Sequence, residues 1–261
     1  MKTLSTLAII SCVFVFVTGC KSFTNCEQIK HSEAVILIDV SDTRLYNEIE
    51  RDFKVNFAGF MGRTGLGSIS SCEKFTLSFA HMSGKESLNL TSASIAVHKP
   101  GQSKKAEIAQ RNPAPLVALL QKTLTEYHAL SNDQGMTSGS NIANTLFKAI
   151  VQTNDFNSGK VILVFSDMVE SNNQMNFYRK IPAKKDIPTA IEKMIEPLVL
   201  SKFYQIRDEG LIAQIIIVLK PEPAGKTSIR EIKNFWVAFF KELGIDAQVQ
   251  FIDNLTNHVV L

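Results

Sequence analysis

The feature that most constrains this chain is a pair of apolar runs that each stop at an acidic, hydroxyl-rich turn. The first is Ala34-Val35-Ile36-Leu37-Ile38, followed by Asp39-Val40-Ser41-Asp42-Thr43. The second is Val161-Ile162-Leu163-Val164-Phe165, followed by Ser166-Asp167. An apolar run of roughly four to eight residues reads as a strand buried on both faces, the kind that parallel sheets use. In open α/β sheets ligands bind beyond the carboxyl ends of strands. Two such ends, together with the helical pattern opened by Gly139-Ser140-Asn141-Ile142, predict an oxygen-lined crevice suited to a hard cation.

The remaining pattern supports that architecture. Residues 73–81 alternate Phe75, Leu77 and Phe79 with Thr76, Ser78 and Ala80, a half-buried strand. Further strands are expected at 92–97, at the nearly continuous apolar stretch 212–219, and at 247–252. Helical spacing predicts helices over 43–53, over 104–128, over 140–150, over 188–200 with an interruption at Pro197, and over 228–243. Pro113 and Pro115 suit the start of the second of these, because proline fits a first turn and not an interior. Gly244 closes the last, as a C-terminal glycine commonly does. The glycine-rich 59–71 is a loop. Strands alternating with helices predict an α/β fold: a mostly parallel open sheet flanked by helices, as a single domain over 34–261. No internal repeat is visible.

The N-terminus carries a different message. Lys2 precedes an apolar stretch from Leu7 to Val17, too short to span a bilayer, which takes about 20 apolar residues. A basic start, a short apolar core and small residues before a cut describe a secretory signal. Val17-Thr18-Gly19-Cys20 resembles the lipobox of bacterial lipoproteins. That resemblance implies removal of 1–19, acylation of Cys20, and a polar tether over 20–33. The alternatives are an ordinary signal peptide cut nearby or a retained anchor helix. Multiple acyl chains would hold the domain stably on a bacterial membrane. Lys21, in place of an Asp, is compatible with the outer membrane, facing the periplasm.

Loss of the signal removes only Lys2 from 28 basic residues set against 25 acidic ones, so the net charge falls from +3 to +2. Nucleic-acid binding calls for a strongly basic stripe, and none is present. Cys12 leaves with the signal and Cys20 would be acylated. Cys26 and Cys72 remain, either as a disulfide in an oxidising compartment or as two free thiols.

Asp39-x-Ser41-x-Thr43, Ser140 and Asp167 together resemble the metal-ion-dependent adhesion site of the von Willebrand factor A-type domain. That family uses an Asp-x-Ser-x-Ser motif, a Thr on a later loop and an Asp after a later strand. The likeness spans roughly 33–255. Three positions depart from it: Thr43 replaces Ser, Ser140 replaces Thr, and Ser166-Asp167-Met168 stands where Thr-Asp-Gly is usual. Each ligand position still offers an oxygen, and Thr137 competes with Ser140 for the middle loop. The resemblance implies Mg²⁺ or Mn²⁺ held by Asp39, Ser41, Thr43, Ser140 and Asp167. A coordination position would be left for a carboxylate from a protein or peptide partner.

The same residues allow a plainer reading, in which Asp39 and Ser41 cap the following helix and Ser140 caps its own. Asp39-Val40-Ser41-Asp42-Thr43 also superficially resembles the Asp-x-Asp-x-Thr of haloacid-dehalogenase-type phosphatases. Ser41 occupies the position of their second Asp, so the general acid is missing. Gly62–Gly67 lacks the Gly-Lys-Ser/Thr ending of a phosphate loop. The five histidines show no ligand spacing. Phe235, Trp236, Phe239 and Phe240 read as core, and Arg179–Lys185 as a solvated loop. No nucleophile–base pair is visible, so no enzyme is expected. The leading expectation is a lipid-anchored, metal-dependent protein-binding module of the cell envelope. The alternative is a degenerate A-type scaffold that holds no metal.

Overall fold

Strand β1 (Lys30–Asp39) forms the middle of the sheet because its apolar run can be buried on both faces, and Ala34–Ile38 are at most 1% exposed. The computed structural model describes residues 30–39, 73–82, 91–95, 118, 121–122, 125, 139–153, 160–219 and 228–252. β1 pairs in parallel with β2 (Glu73–Met82) on one side and with β4 (Lys160–Ser166) on the other. β5 (Gln214–Leu219) and β6 (Val249–Ile252) extend the parallel array beyond β4. β3 (Thr91–Ile95) is the exception and runs antiparallel along β2.

The strand order is β3-β2-β1-β4-β5-β6. It reverses between β1 and β4, so their carboxyl ends open the crevice in which α/β sheets receive ligands. The mostly parallel α/β sheet expected from the sequence is what the structure shows. Among the described residues, four α-helices have defined bounds: α1 (Ile142–Gln152), α2 (Ile187–Met194), α3 (Pro197–Asp208) and α4 (Ile229–Glu242). Their apolar stripes share one core with Val35 and Leu37 of β1, Ile162 and Val164 of β4, and Ile215 and Ile217 of β5. Ile36, Phe79, Leu163 and Ile216, on the opposite face, are equally buried. Ala118, Gln121, Lys122 and Thr125 are helical and exposed, at the spacing of one outward face within the helix expected over 104–128.

α4 shows how local sequence sets an element. Ser228 Oγ accepts from the Glu231 N–H at 3.2 Å, while the Ser228 N–H donates to Glu231 Oε2 at 3.2 Å. This reciprocal pair satisfies two donors that a helix start leaves open. Ile232, Phe235, Trp236, Phe239 and Phe240 then recur at helical spacing and are all buried. The four aromatic residues are therefore core, as expected. Gly244, at φ 71°, ends the run in a backbone conformation that glycine adopts without steric cost.

Two boundaries differ from expectation. Residues 30–33, expected to belong to the tether, are strand, in register with Glu73–Thr76. Hydropathy hides them because polar cross-strand bonds hold them. Ser78 Oγ donates to the buried Glu33 Oε1 at 2.7 Å, and His31 Nε2 meets Thr76 Oγ1 at 2.8 Å. Pro197 also does more than interrupt a helix. The residue before a proline is pushed into extended backbone, and Glu196 is extended at ψ 136°, which ends one helix and starts another. Pro197 thus occupies the first turn of α3, which runs on to Asp208.

Candidate functional site

Asp39 is the last residue of β1 and is completely buried. Burying a carboxylate is costly unless hydrogen-bond donors surround it, and two hydroxyls meet this one. Ser140 Oγ donates to Oδ1 at 2.9 Å and Ser166 Oγ donates to Oδ2 at 2.7 Å. Ser166 ends β4, beside β1, and Ser140 lies just before α1. Three chain segments distant in sequence therefore converge on one carboxylate at the reversal of strand order.

The Ser140 segment is fixed by its neighbours. Gly139 has φ 87°, and a Cβ placed on it would lie 1.8 Å from the Ser171 carbonyl oxygen. Only glycine allows the two backbones to approach so closely. The next peptide completes the contact, since the Ser171 N–H donates to the Ser140 carbonyl at 3.0 Å.

The turn leaving β4 is equally determined. The Met168 N–H donates to Ser166 Oγ at 2.8 Å, and the Val169 N–H donates to Asp167 Oδ1 at 2.9 Å. These side chains thus bind the backbone two residues on, as Asp and Ser do in tight turns. Met168 sits at φ 60°, a left-handed conformation uncommon for a residue with a side chain. It is held from outside, because the buried Trp236 Nε1 of α4 donates to the Met168 carbonyl at 2.8 Å.

Of the expected site residues, the structure puts Asp39 and Ser140 in direct contact and places Asp167 on the adjoining strand end, 4% exposed. Ser41, Thr43 and Thr137, the acylation candidate Cys20, and the pair Cys26 and Cys72 lie outside the described residues. Ser140 does not cap α1: the N-cap position is Asn141, which makes no side-chain capping bond, and the Ser140 hydroxyl is committed to Asp39. Two members went unrecognised as site residues. Ser166 has a visible signal, a hydroxyl at the end of the second apolar run, although the ligand pattern points to Asp167 beside it. Glu170 has none.

Glu170 is fully buried and supplies the cap that Ser140 does not, its Oε2 accepting the Ala143 N–H of the first turn of α1 at 3.0 Å. Its other oxygen accepts from Asn172 Nδ2 at 2.7 Å. Burial pushes the Glu170 carboxyl up to about 8, helped by the negative charge of Asp39 and opposed by the N–H groups of Ala143 and Ile142 and by Asn172. Desolvation outweighs those bonds because it acts on the whole ionised group.

The set is composed of carboxylate and hydroxyl oxygens, the donors that hard divalent cations accept. Among the described residues no group of three or more His, Cys, Asp or Glu is placed to hold a metal ion. A cation here would therefore depend on serine and threonine hydroxyls as well as on carboxylates. Asp39, Ser140, Ser166 and Asp167 can supply part of such a set.

No protein-family model matches the chain, and no curated protein matches it. Solved structures do. The pilus adhesin SpaC from Lactobacillus rhamnosus GG in its open conformation aligns at 13% identity with a TM-score of 0.42, covering 87% of this chain and 28% of the adhesin. A second SpaC structure aligns at 11% identity and a TM-score of 0.40, covering 87% and 29%. Proximal thread matrix protein 1 from the mussel byssus aligns at 10% identity and a TM-score of 0.36, covering 87% and 42%. The chain thus spans less than half the length of each.

Proposed function

We propose that this protein is a binding module of the von Willebrand A type, tethered to a bacterial envelope membrane through Cys20. In this reading it captures a protein or peptide carboxylate through Mg²⁺ or Mn²⁺ held at the Asp39 crevice. The observation that carries the reading is the convergence of Ser140 and Ser166 on the buried Asp39, with Asp167 adjoining. A buried anion ringed by hydroxyls at the switch point of a parallel sheet is a place where a cation gains more than water offers it. Met168, at φ 60° where the A-type pattern usually has glycine, adopts a backbone that glycine favours, which supports the alignment of Ser166-Asp167-Met168 with that pattern. Val17-Thr18-Gly19-Cys20 supports the lipid anchor. Among the described residues no helix is long and apolar enough to cross a membrane.

Titration of metal-free protein with Mg²⁺ and Mn²⁺ by calorimetry tests the site. Saturable binding that Asp39→Ala abolishes supports it, and absence of binding to the unsubstituted protein rejects it. A second reading, an A-like scaffold without a metal, is favoured by one observation: both Asp39 oxygens already accept hydroxyl bonds, which closes the crevice without a cation. Partner capture that survives Asp39→Ala in a folded protein would select the scaffold. The anchor is tested separately: Cys20→Ala should move the protein out of the membrane fraction, and detergent-dependent partitioning of that variant would reject lipidation.

A further inference from the structure

The loop that leaves β4 past the crevice carries an excess of positive charge. Residues 171–185 hold Arg179, Lys180, Lys184 and Lys185 and no acid, in a chain whose net charge is +3. All four are exposed, and among the described residues none of them makes an ion pair or a side-chain hydrogen bond. Their backbone is fixed all the same. The Asn176 carbonyl accepts the N–H groups of Arg179 and Lys180, each at 3.1 Å, and Asn176 bridges to Ser171, which holds Ser140. Lys184 and Lys185 sit in the 3-10 turn Lys184–Asp186 that opens α2. Four like charges on a fixed stretch repel one another, and a negatively charged partner relieves that repulsion.

These cations border an apolar groove. A cavity of about 360 Å³ lies between the loop and α4, walled by the half-buried Ile181, Pro182 and Ala238 over a floor of Ile187 and Phe235. The exposed Lys184 stands on its rim. Phe235 is held from behind by Phe177, edge-on with ring centroids 4.8 Å apart, and the Phe177 N–H donates to the Glu170 carbonyl at 2.9 Å. Groove and crevice are therefore built on one loop. Tyr178 and Val237, each 44% exposed, adjoin Phe177 and Ala238 in the chain and add apolar surface outside the groove. Two acids stand at its edges, Asp186 and Glu231, and Glu231 is tied to the Ser228 N–H. An apolar centre inside a charged rim is the anatomy of a protein interface. The sign of this rim calls for carboxylates.

A basic and apolar surface also fits an anionic bilayer, and the topology argues against that occupant. β1 runs from Lys30, where the expected tether joins, to Asp39, whereas the loop departs from the carboxyl end of the parallel β4. The ten residues of β1 span about 33 Å, and the groove lies toward the end turned away from the tether. We propose that the groove docks an acidic segment of a protein partner. An apolar side chain of that segment enters between Ile181, Pro182 and Ala238, and its flanking carboxylates pair with Lys184, Lys185, Arg179 and Lys180. The inference deepens the reading of the protein as a tethered binding module and rests on it for the orientation, while it needs no cation at Asp39.

The test uses the whole chain, freed of metal, and three probes: acetyl-Glu-Asp-Phe-Asp-Glu-amide, the same peptide with Gly in place of Phe, and vesicles of phosphatidylglycerol. The Phe peptide is expected to bind saturably at up to millimolar concentration. The Gly peptide should bind about tenfold or more weakly, since a seated anchor carries more than the contacts around it. Lys184→Glu and Lys185→Glu, combined in one protein, should cost the Phe peptide about tenfold or more in affinity. Ala238→Gln, which fills the groove with an uncharged chain, should do the same. With no metal present the groove is read by itself, so this claim and the cation at Asp39 can each fail without the other. No saturable binding of the Phe peptide overturns the proposal, as does equal affinity for the Gly peptide. Unchanged binding by a folded protein with both lysines replaced overturns it too, and so does binding of the vesicles in place of the peptide, which would assign the face to a membrane.

Discussion

Two regions on one face of the sheet meet at Met168 and are built on opposite principles. The aromatic layer under α4 is held by shape: Phe147 packs on Phe203 with ring centroids 4.7 Å apart, Phe177 on Phe235 at 4.8 Å, and Trp236 on Phe239 at 5.1 Å. The crevice beside it is held by hydrogen bonds between groups that would each be unstable there alone: Asp39, Ser140, Ser166, Asp167 and Glu170. Dispersion and apolar burial spread over many atoms and tolerate similar replacements. A buried polar network concentrates its stabilisation in a few bonds, and losing one strands its partner. The aromatic layer should therefore answer to volume, and the crevice to protons and backbone geometry.

The largest expected effect is the crevice's response to pH. Glu170 titrates near 8 in the folded protein against an ordinary value of 4.5. Between those values the folded state holds a proton that the unfolded state has released, so stability falls as pH rises through that window and levels off above it. The shift corresponds to a loss on the order of 4 kcal/mol across the window. Glu170→Gln carries no titrating proton, and the wild-type-minus-variant difference in denaturant stability, measured from pH 4.5 to 9, should trace that curve. A difference that stays flat would mean that the N–H groups of Ala143 and Ile142 outweigh burial.

Phe239→Ala should come next. The ring is fully buried against Phe147 and Trp236, and truncation should cost about 3–5 kcal/mol with no change in the pH profile. A pH-dependent loss would break the proposed separation of the two regions. Gly139→Ala tests the crevice through its backbone. A Cβ would lie 1.8 Å from the Ser171 carbonyl oxygen, so that loop must shift and carry Ser140 with it, for about 3 kcal/mol. An Ala variant as stable as the parent would mean that the contact between the two loops is loose.

The same contrast explains what the sequence made legible. Apolar periodicity reports burial, so strands β4 and β5 and the buried stripe of α4 were all readable. The aromatic residues fell on the core side because Phe235, Trp236, Phe239 and Phe240 recur at helical spacing. Polar partnerships follow no period. Ser140 reads in the sequence either as a cap or as a ligand, and the bond it makes, to Asp39 across 101 residues of chain, depends on strand order. Glu170 caps a helix that begins 28 residues before it, a cap no local motif encodes. Lys30–Glu33 looked like tether because strand held by Ser78 and Thr76 resembles loop in composition.

The smallest effect concerns the bond that joins the regions, from Trp236 Nε1 to the Met168 carbonyl. Trp236→Phe keeps an aromatic ring in the layer but strands a buried acceptor, which should cost about 2 kcal/mol. Global stability cannot assign that loss, because the smaller ring also leaves a gap. Phe240→Leu, equally buried in the layer, removes volume without touching a hydrogen bond and provides the control. The discriminating measurement is amide hydrogen exchange at Met168 and Val169, whose N–H groups are held by Ser166 Oγ and Asp167 Oδ1. If Trp236 holds Met168 in its left-handed backbone, both amides should exchange faster in Trp236→Phe than its overall stability predicts, while in Phe240→Leu they should follow overall stability. Equal behaviour in the two variants would show that the turn after β4 holds itself, and that the aromatic layer and the crevice are neighbours without being coupled.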